Sequence, residues 1–164
     1  MKIASVESLF IDTAYVVRIT TDSGISGIGQ TACWGYTKAV KTVVDDFSEY
    51  LIGQDPLRIE HHWQYLYRIL PFRGNAVSGA VSAIDIALWD IKGKHYGAPI
   101  WDLLGGKCRD KVRLHLLIDG DTPDALAASV THAREIGFTA VKFDPLTAGY
   151  ADWTQDRLGR DTQE

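Results

Sequence analysis

The sequence is poor in cysteine, which argues against a disulfide-stabilised or zinc-binding protein. It holds only two in 164 residues, Cys33 and Cys108, and neither belongs to a Cys-x-x-Cys pair or has the cysteine–histidine spacing of a metal site. Two such cysteines are more typical of small buried hydrophobic side chains than of a disulfide or a zinc site. We therefore expect both to be buried and assign them no chemistry.

Long apolar runs and an excess of positive charge are also lacking. No run approaches the roughly 18 apolar residues that cross a bilayer, and the sequence opens on strand-like alternation rather than a signal peptide. The 17 Lys and Arg are outnumbered by 21 Asp and Glu, giving a net charge of −4 with no basic stripe. We therefore expect a cytoplasmic protein that binds neither membrane nor nucleic acid.

What is present first is a strand pattern. Lys2 to Ile11 alternates in polarity, Tyr15 to Thr20 is rich in β-branched residues, and a third strand-like run covers Ile25 to Thr31. The turn residues Asp22-Ser23-Gly24 separate the second and third runs. This order predicts an antiparallel meander of three strands.

Helical spacing follows the meander in three successive segments, and the third is the strongest. Val77, Val81, Ile84, Leu88 and Ile91 form an unbroken 4-3-4-3 stripe. The two earlier stripes end before Pro56 and Pro71. Strands followed by a helical bundle predict an α+β domain in which helices cover one face of the sheet.

Small residues mark places of close approach in both parts. Gly24, Gly27 and Gly29 do not spell a Gly-x-Gly-x-x-Gly fingerprint before a helix, so we interpret them as glycines that permit a turn and close backbone approach rather than as a phosphate cradle. The stripe helix carries small residues that would allow close packing against its neighbours. These are Gly79, Ala80, Ala83 and Ala87.

The pattern changes at residue 112. Val112 to Ile118 is nearly continuous in apolar residues, Thr122-Pro123 predicts a helix start, Gly137 a helix end, and Ala140 to Phe143 a second strand. This is one βαβ unit with parallel strands. Residues at the C-terminal ends of such strands are Asp119, Lys142 and Asp144.

The most specific motif lies between the two patterns. Residues Ser82 to Gly106 read SAIDIALWDIKGKHYGAPIWDLLGG, and Val112 to His115 follow shortly after. This stretch resembles the junction between the capping domain and the catalytic barrel of the enolase superfamily, in the branch of mandelate racemase and the acid-sugar dehydratases. The resemblance implies an α+β capping domain over residues 1–111. Residues 112–164 would begin a TIM-like (β/α) barrel that is truncated after about one and a half of its eight βα units.

The resemblance also implies a reaction. Members of this branch abstract a proton next to a carboxylate while Mg²⁺ holds the enolate, so we expect the N-terminal part of a hydro-lyase acting on a sugar acid. The metal ligands and a histidine base would lie on later barrel strands, beyond Glu164, so we expect the isolated chain to be inactive. A racemase or cycloisomerase stays an alternative, as does a non-catalytic assembly module. The implied partners are a small-molecule sugar acid and either further copies of the chain or the missing barrel segment.

Three strand-end residues are the candidates for chemistry. In the resembled family the second barrel strand carries a Lys-x-Lys motif or a variant of it, and Lys142 matches its first, carboxylate-holding position. Asp144 replaces the second, basic position, which favours a dehydratase over a racemase. Asp119 is a candidate for substrate contact. The ordinary alternatives are that Lys142 simply faces solvent and that Asp144, which precedes Pro145, begins a turn.

Closure over the site would come from the capping domain. The candidates are Ala32 to Tyr36, which includes Trp34, and Pro71 to Asn75, which includes Arg73. The guanidinium of Arg73 could bind a carboxylate with two hydrogen bonds, or it could instead bond a helix end within the domain.

His61 and His62 point about 100° apart on a helix and cannot chelate one ion, so we expect a surface or interface role.

Overall fold

The computed structural model describes residues 1–12, 14–31, 36–69 and 71–143. Within it the chain divides into two compact units, the first spanning Met1–Lys107 and the second beginning at Cys108. The expected boundary between residues 111 and 112 stays a prediction.

The first unit begins with the predicted meander. Strands β1 (Ile3–Ile11), β2 (Ala14–Thr21) and β3 (Ser26–Thr31) form an antiparallel sheet in the order β1-β2-β3. The turn between β2 and β3 uses Gly24 at φ 84°, a conformation that glycine adopts without steric cost. The prediction of three antiparallel strands is confirmed.

Four helices follow the sheet. They are α1 (Thr37–Leu51), α2 (Ile59–Arg68), α3 (Asn75–Tyr96) and the short α4 (Ile100–Leu103), which the sequence did not predict. Helix α3 ends at Gly97, which has the left-handed conformation with φ 61°, and its N–H donates to the carbonyls of Gly93 and Lys94. The predicted stripe is confirmed, since Val81, Ile84, Leu88 and Ile91 are all buried in the core.

Helix α3 lies directly against β3, and the two glycines make this possible. A Cβ atom on Gly29 would lie 1.8 Å from the carbonyl oxygen of Ala83, and one on Gly27 would lie 2.0 Å from that of Ala87. Backbone therefore packs on backbone at both points. The interpretation of these glycines as sites of close approach is confirmed.

The second unit contains the predicted parallel pair of strands. Strand β4 (Leu116–Leu117) pairs in parallel with β5 (Val141–Lys142), and α5 (Pro123–Glu135) connects them. Thr122 caps α5, because its Oγ1 accepts a hydrogen bond of 3.1 Å from the N–H of Ala125.

Two expectations for this part of the chain are wrong. The predicted strand from Val112 to Ile118 is only two residues long, because β4 is paired only where β5 lies beside it. Val112 and Leu114 are 69% and 67% exposed. Cys108 is exposed rather than buried, since it lies in the irregular connection before β4. Cys33 lies outside the described residues.

In the part of the chain that the structure describes, no helix combines the length and apolar character needed to cross a membrane.

Candidate functional site

Lys142 lies at the C-terminal end of β5, where the sequence placed it. It pairs in register with Leu117, so the two side chains lie on one face of the two-stranded sheet. The next residue after Leu117, Ile118, is only 8% exposed, which makes the opposite face the covered one. The Lys142 side chain is exposed and forms no salt bridge with any other described residue.

Asp119 follows β4 at the same end of the sheet. The backbone N–H of Ile118 donates to the carbonyl of Lys142 at 2.9 Å, so the residue before Asp119 is bonded directly to Lys142. The structure therefore brings Asp119 and Lys142 to neighbouring strand ends. In parallel barrels this is the end where reacting groups lie.

The loop that carries Asp119 is held against α5. Ser129 on α5 donates from its Oγ to the carbonyl oxygen of Asp119 at 2.9 Å. A Cβ on Gly120 would lie 2.6 Å from the backbone nitrogen of Leu126, so only glycine fits there without a shift of the backbone. Sequence reasoning missed Ser129, and its place ten residues after Asp119 gives no local signal of this contact.

Arg73 lies between α2 and α3 and has a defined orientation. Its Nε donates to the carbonyl oxygen of Tyr67 at 2.7 Å, and its guanidinium carbon lies 4.5 Å from the centre of the Tyr67 ring. Tyr67 in turn stacks on Trp63 with 5.0 Å between ring centres. Arg73 thus forms a hydrogen bond to the end of a helix within its own domain, which was one of the two predicted alternatives. Its two Nη groups have no hydrogen-bond partner among the described residues.

Two further predicted site residues, Trp34 and Asp144, lie outside the described residues.

The two adjacent histidines differ completely in environment. His61 is exposed, whereas His62 is fully buried, so the expectation of a surface role is wrong for His62. Its Nε2 lies 2.8 Å from the carbonyl oxygen of Asp55, which can only accept, so Nε2 carries the proton. Nδ1 then accepts from the Tyr50 hydroxyl at 2.9 Å. Burial lowers the pKa of His62, which favours the neutral form that these two hydrogen bonds fit.

The acidic residues of α3 form no pair. Asp90 accepts from the N–H of Ile28 on β3 at 3.0 Å and from the ammonium of Lys94 at 2.8 Å, which ties the helix to the edge strand. Asp85 is half-buried, and burial, with a smaller effect of Glu60, raises the pKa of its carboxyl. Neither carboxylate is arranged as a metal ligand.

Among the described residues, no group of three or more His, Cys, Asp or Glu side chains could hold a metal ion. Mg²⁺ prefers near-octahedral oxygen coordination that includes protein carboxylates. The residues described here do not supply such a site.

Fold and strand-end residues together define an α+β capping unit followed by a βαβ unit with a lysine at a strand end. Residues 3–105 match the family model described as the mandelate racemase / muconate lactonizing enzyme, N-terminal domain. The chain belongs to this family, which confirms the resemblance to the enolase superfamily seen in the sequence.

Curated relatives extend the similarity beyond the capping unit. The chain is 40% identical over 146 residues to a D-galactonate dehydratase of Pectobacterium atrosepticum, a match that covers 88% of the chain and 38% of the relative. It is 42% identical over 129 residues to a D-galactonate dehydratase of Cronobacter sakazakii, covering 78% of the chain and 34% of the relative. The chain therefore spans well under half the length of these relatives.

Solved structures share the fold. An enolase from Pantoea ananatis, solved with bound D-gluconate and magnesium, superposes with a TM-score of 0.79 at 35% identity, covering 87% of this chain and 36% of that one. A member of the enolase superfamily from Salmonella Typhimurium also gives a TM-score of 0.79, at 34% identity, covering 87% and 42%.

Proposed function

We propose that this chain is the N-terminal part of an acid-sugar dehydratase. Such a hydro-lyase breaks the C–H bond next to the carboxylate of a sugar acid and the C–OH bond on the neighbouring carbon, releasing water. The observation that carries the proposal is the 40% identity to a D-galactonate dehydratase. That match covers 88% of the chain, so wherever it begins it includes Arg73, Asp119 and Lys142.

Lys142 has the central role in this proposal. Removal of the proton leaves negative charge on the substrate carboxylate, and an ammonium already in place stabilises that charge more in the transition state than in the ground state. The exposed side chain at the end of β5 and the lack of a salt-bridge partner among the described residues support this role. Asp119 and Asp144 would contact substrate hydroxyls.

Arg73 and Trp34 are proposed to contact the substrate from the capping unit. The Nε of Arg73 is occupied by the Tyr67 carbonyl, so a carboxylate would bind through the two Nη groups. The complete enzyme is proposed to be cytoplasmic and to require Mg²⁺, by analogy with the magnesium-bound Pantoea ananatis relative. Its metal ligands would have to lie outside the described residues.

The decisive experiment joins residues 1–164 to the C-terminal part of a D-galactonate dehydratase and assays sugar acids in the presence of Mg²⁺. The joined protein should dehydrate a sugar acid, and Lys142→Ala should lower kcat/KM by about 10²–10³. Lys111→Ala removes an exposed lysine of the same unit and should leave the rate unchanged. Full activity of Lys142→Ala would contradict the role of Lys142, and absence of activity in every joined protein would contradict the dehydratase.

The 164-residue chain by itself should be inactive. It should also bind Mg²⁺ weakly, because the two carboxylates that the sequence predicts at the strand ends, Asp119 and Asp144, come together with the positive charge of Lys142. Isothermal titration with Mg²⁺ tests this directly. Micromolar affinity would show that the chain contains a metal site of its own.

One observation favours a second candidate, in which the chain acts as an assembly module. Val112, Leu114 and Leu117 are each about two-thirds exposed, and several exposed apolar side chains within one short segment are typical of a surface that has a partner. That partner would be the rest of the barrel or a second copy of the chain. Light scattering of the purified 164-residue chain distinguishes the two, since only self-association gives an oligomer.

A further inference from the structure

We propose that Arg113 is a positioning residue for Lys142. Its guanidinium fixes how far β5 extends along β4, and this sets the place of the ammonium at the strand end. The inference rests on the proposed function, because it takes Lys142 as a group that contacts substrate.

Arg113 joins the two strands where they begin, at the end opposite to the site. It lies three residues before β4, and Thr139 lies two residues before β5. The Nε of Arg113 donates to the Thr139 hydroxyl at 3.0 Å, and Nη2 donates to the Thr139 carbonyl oxygen. The planar guanidinium of Arg113 therefore forms two hydrogen bonds with the single residue Thr139.

The pairing of the strands does not by itself fix this position well. Among the described residues the ladder is only two residue pairs long, Leu116 with Val141 and Leu117 with Lys142. Its flanking backbone hydrogen bonds run from Leu116 to Ala140 and from Ile118 to Lys142. A slip by one residue would turn Lys142 to the covered face and is opposed by the cost of burying its charge. A slip by two residues would keep Lys142 on its face but move it by about 7 Å.

The two hydrogen bonds from Arg113 to Thr139 oppose a slip of β5 by two residues along β4. Sliding β5 in either direction would carry the hydroxyl and the carbonyl of Thr139 away from Arg113 together. Precision of this kind matters at a site, because a misplacement of about 1 Å can cost a reaction up to about 10²-fold in rate.

The first test uses the 164-residue chain and needs no activity. Arg113→Gln removes the two hydrogen bonds from the guanidinium to Thr139. The backbone amide of Ile118, which donates to the carbonyl of Lys142, should then exchange with solvent about tenfold faster, as measured by NMR. Arg134→Gln is the matched control, since that exposed arginine on α5 has no side-chain hydrogen bond among the described residues. Equal exchange rates in parent and Arg113→Gln would overturn the proposal.

The second test separates positioning from general stability. In the joined enzyme, Arg113→Gln should lower kcat/KM by about tenfold or more, but by less than about twofold in a Lys142→Ala background, where no ammonium is left to position. An equal loss in both backgrounds would mean that Arg113 acts on stability alone and would overturn the proposal. If the joined protein lacks activity altogether, the dehydratase proposal fails, and the exchange experiment still decides whether Arg113 holds the strand.

Discussion

Replacing Gly29 with alanine should destabilise the capping unit far more than one methyl group ordinarily does. The new Cβ would lie 1.8 Å from the carbonyl oxygen of Ala83 and 2.9 Å from the backbone nitrogen of Ala87. Both atoms belong to the backbone of α3, so no side chain can rotate away. To restore ordinary contact, β3 and α3 would have to separate by roughly 1.5 Å.

That separation would disturb the centre of the core. Helix α3 is fixed there by Ile84, Leu88 and Ile91, each at most 1% exposed. Forcing extra volume into a packed core commonly costs about 1–3 kcal/mol, and because the obstacle is backbone we expect about 3 kcal/mol or more. For a unit of this size such a loss lowers the melting temperature by about 12 °C or more.

Thermal and urea denaturation of the 164-residue chain, followed by circular dichroism, measures this effect. Gly74→Ala adds the same methyl group where no atom lies within 4 Å and φ is −170°, so it controls for the loss of glycine alone. Its cost should stay below about 1 kcal/mol. If Gly29→Ala melts within about 4 °C of Gly74→Ala, which corresponds to about 1 kcal/mol, close packing of β3 on α3 does not require glycine at position 29.

Two further predictions follow from buried residues. The pKa of the buried His62 is lowered from 6.5, so the unfolded chain binds a proton on this imidazole more readily than the folded chain does. The free energy of unfolding should therefore fall as the pH drops below about 6.5. Above that pH, His62 should contribute no pH dependence. Urea midpoints at several pH values should show the slope in the parent and in His61→Gln but lose part of it in His62→Gln; an unchanged slope in His62→Gln would assign the pH dependence to other groups. Ile84→Asp should unfold the capping unit, since a buried unpaired carboxylate costs several kcal/mol against a total stability of about 5–15. Ile86→Asp, on the exposed side of the same helix, should keep a cooperative melt, and a similar melt for Ile84→Asp would show that Ile84 is not part of the core.

The meander and the helix stripe could be predicted because their signals are local. Alternation and 4-3-4-3 spacing record which face of an element is buried, and burial of Val81 and Ile84 follows from the stripe alone. The predicted close approach at Gly27 and Gly29 was also confirmed. Its partner could not be predicted, because Ala83 and Ala87 lie more than fifty residues away on another element.

The failures concern features that depend on a neighbour. The length of β4 is set by how much of β5 lies beside it, so an apolar run from Val112 to Ile118 could not give its bounds. The burial of His62 is set by Tyr50 and Asp55, which come from α1 and the turn after it. Helical geometry correctly separates His61 from His62 but does not say which of them faces those partners.

The contacts of Arg73 narrow a question that the sequence left open. Substrate binding and helix-end bonding looked like alternatives, but the guanidinium has more than one edge, and the structure assigns only the Nε side to the Tyr67 carbonyl. That bond and the Tyr67 ring, 4.5 Å from the guanidinium carbon, reduce the orientations open to the side chain. An arginine held this way loses less conformational entropy when it binds a planar anion, and it can do so only through its two Nη groups. Lysine has neither the second edge nor the flat face, so the helix-end bond is compatible with a substrate role for Arg73 and gives a reason why that role would require arginine.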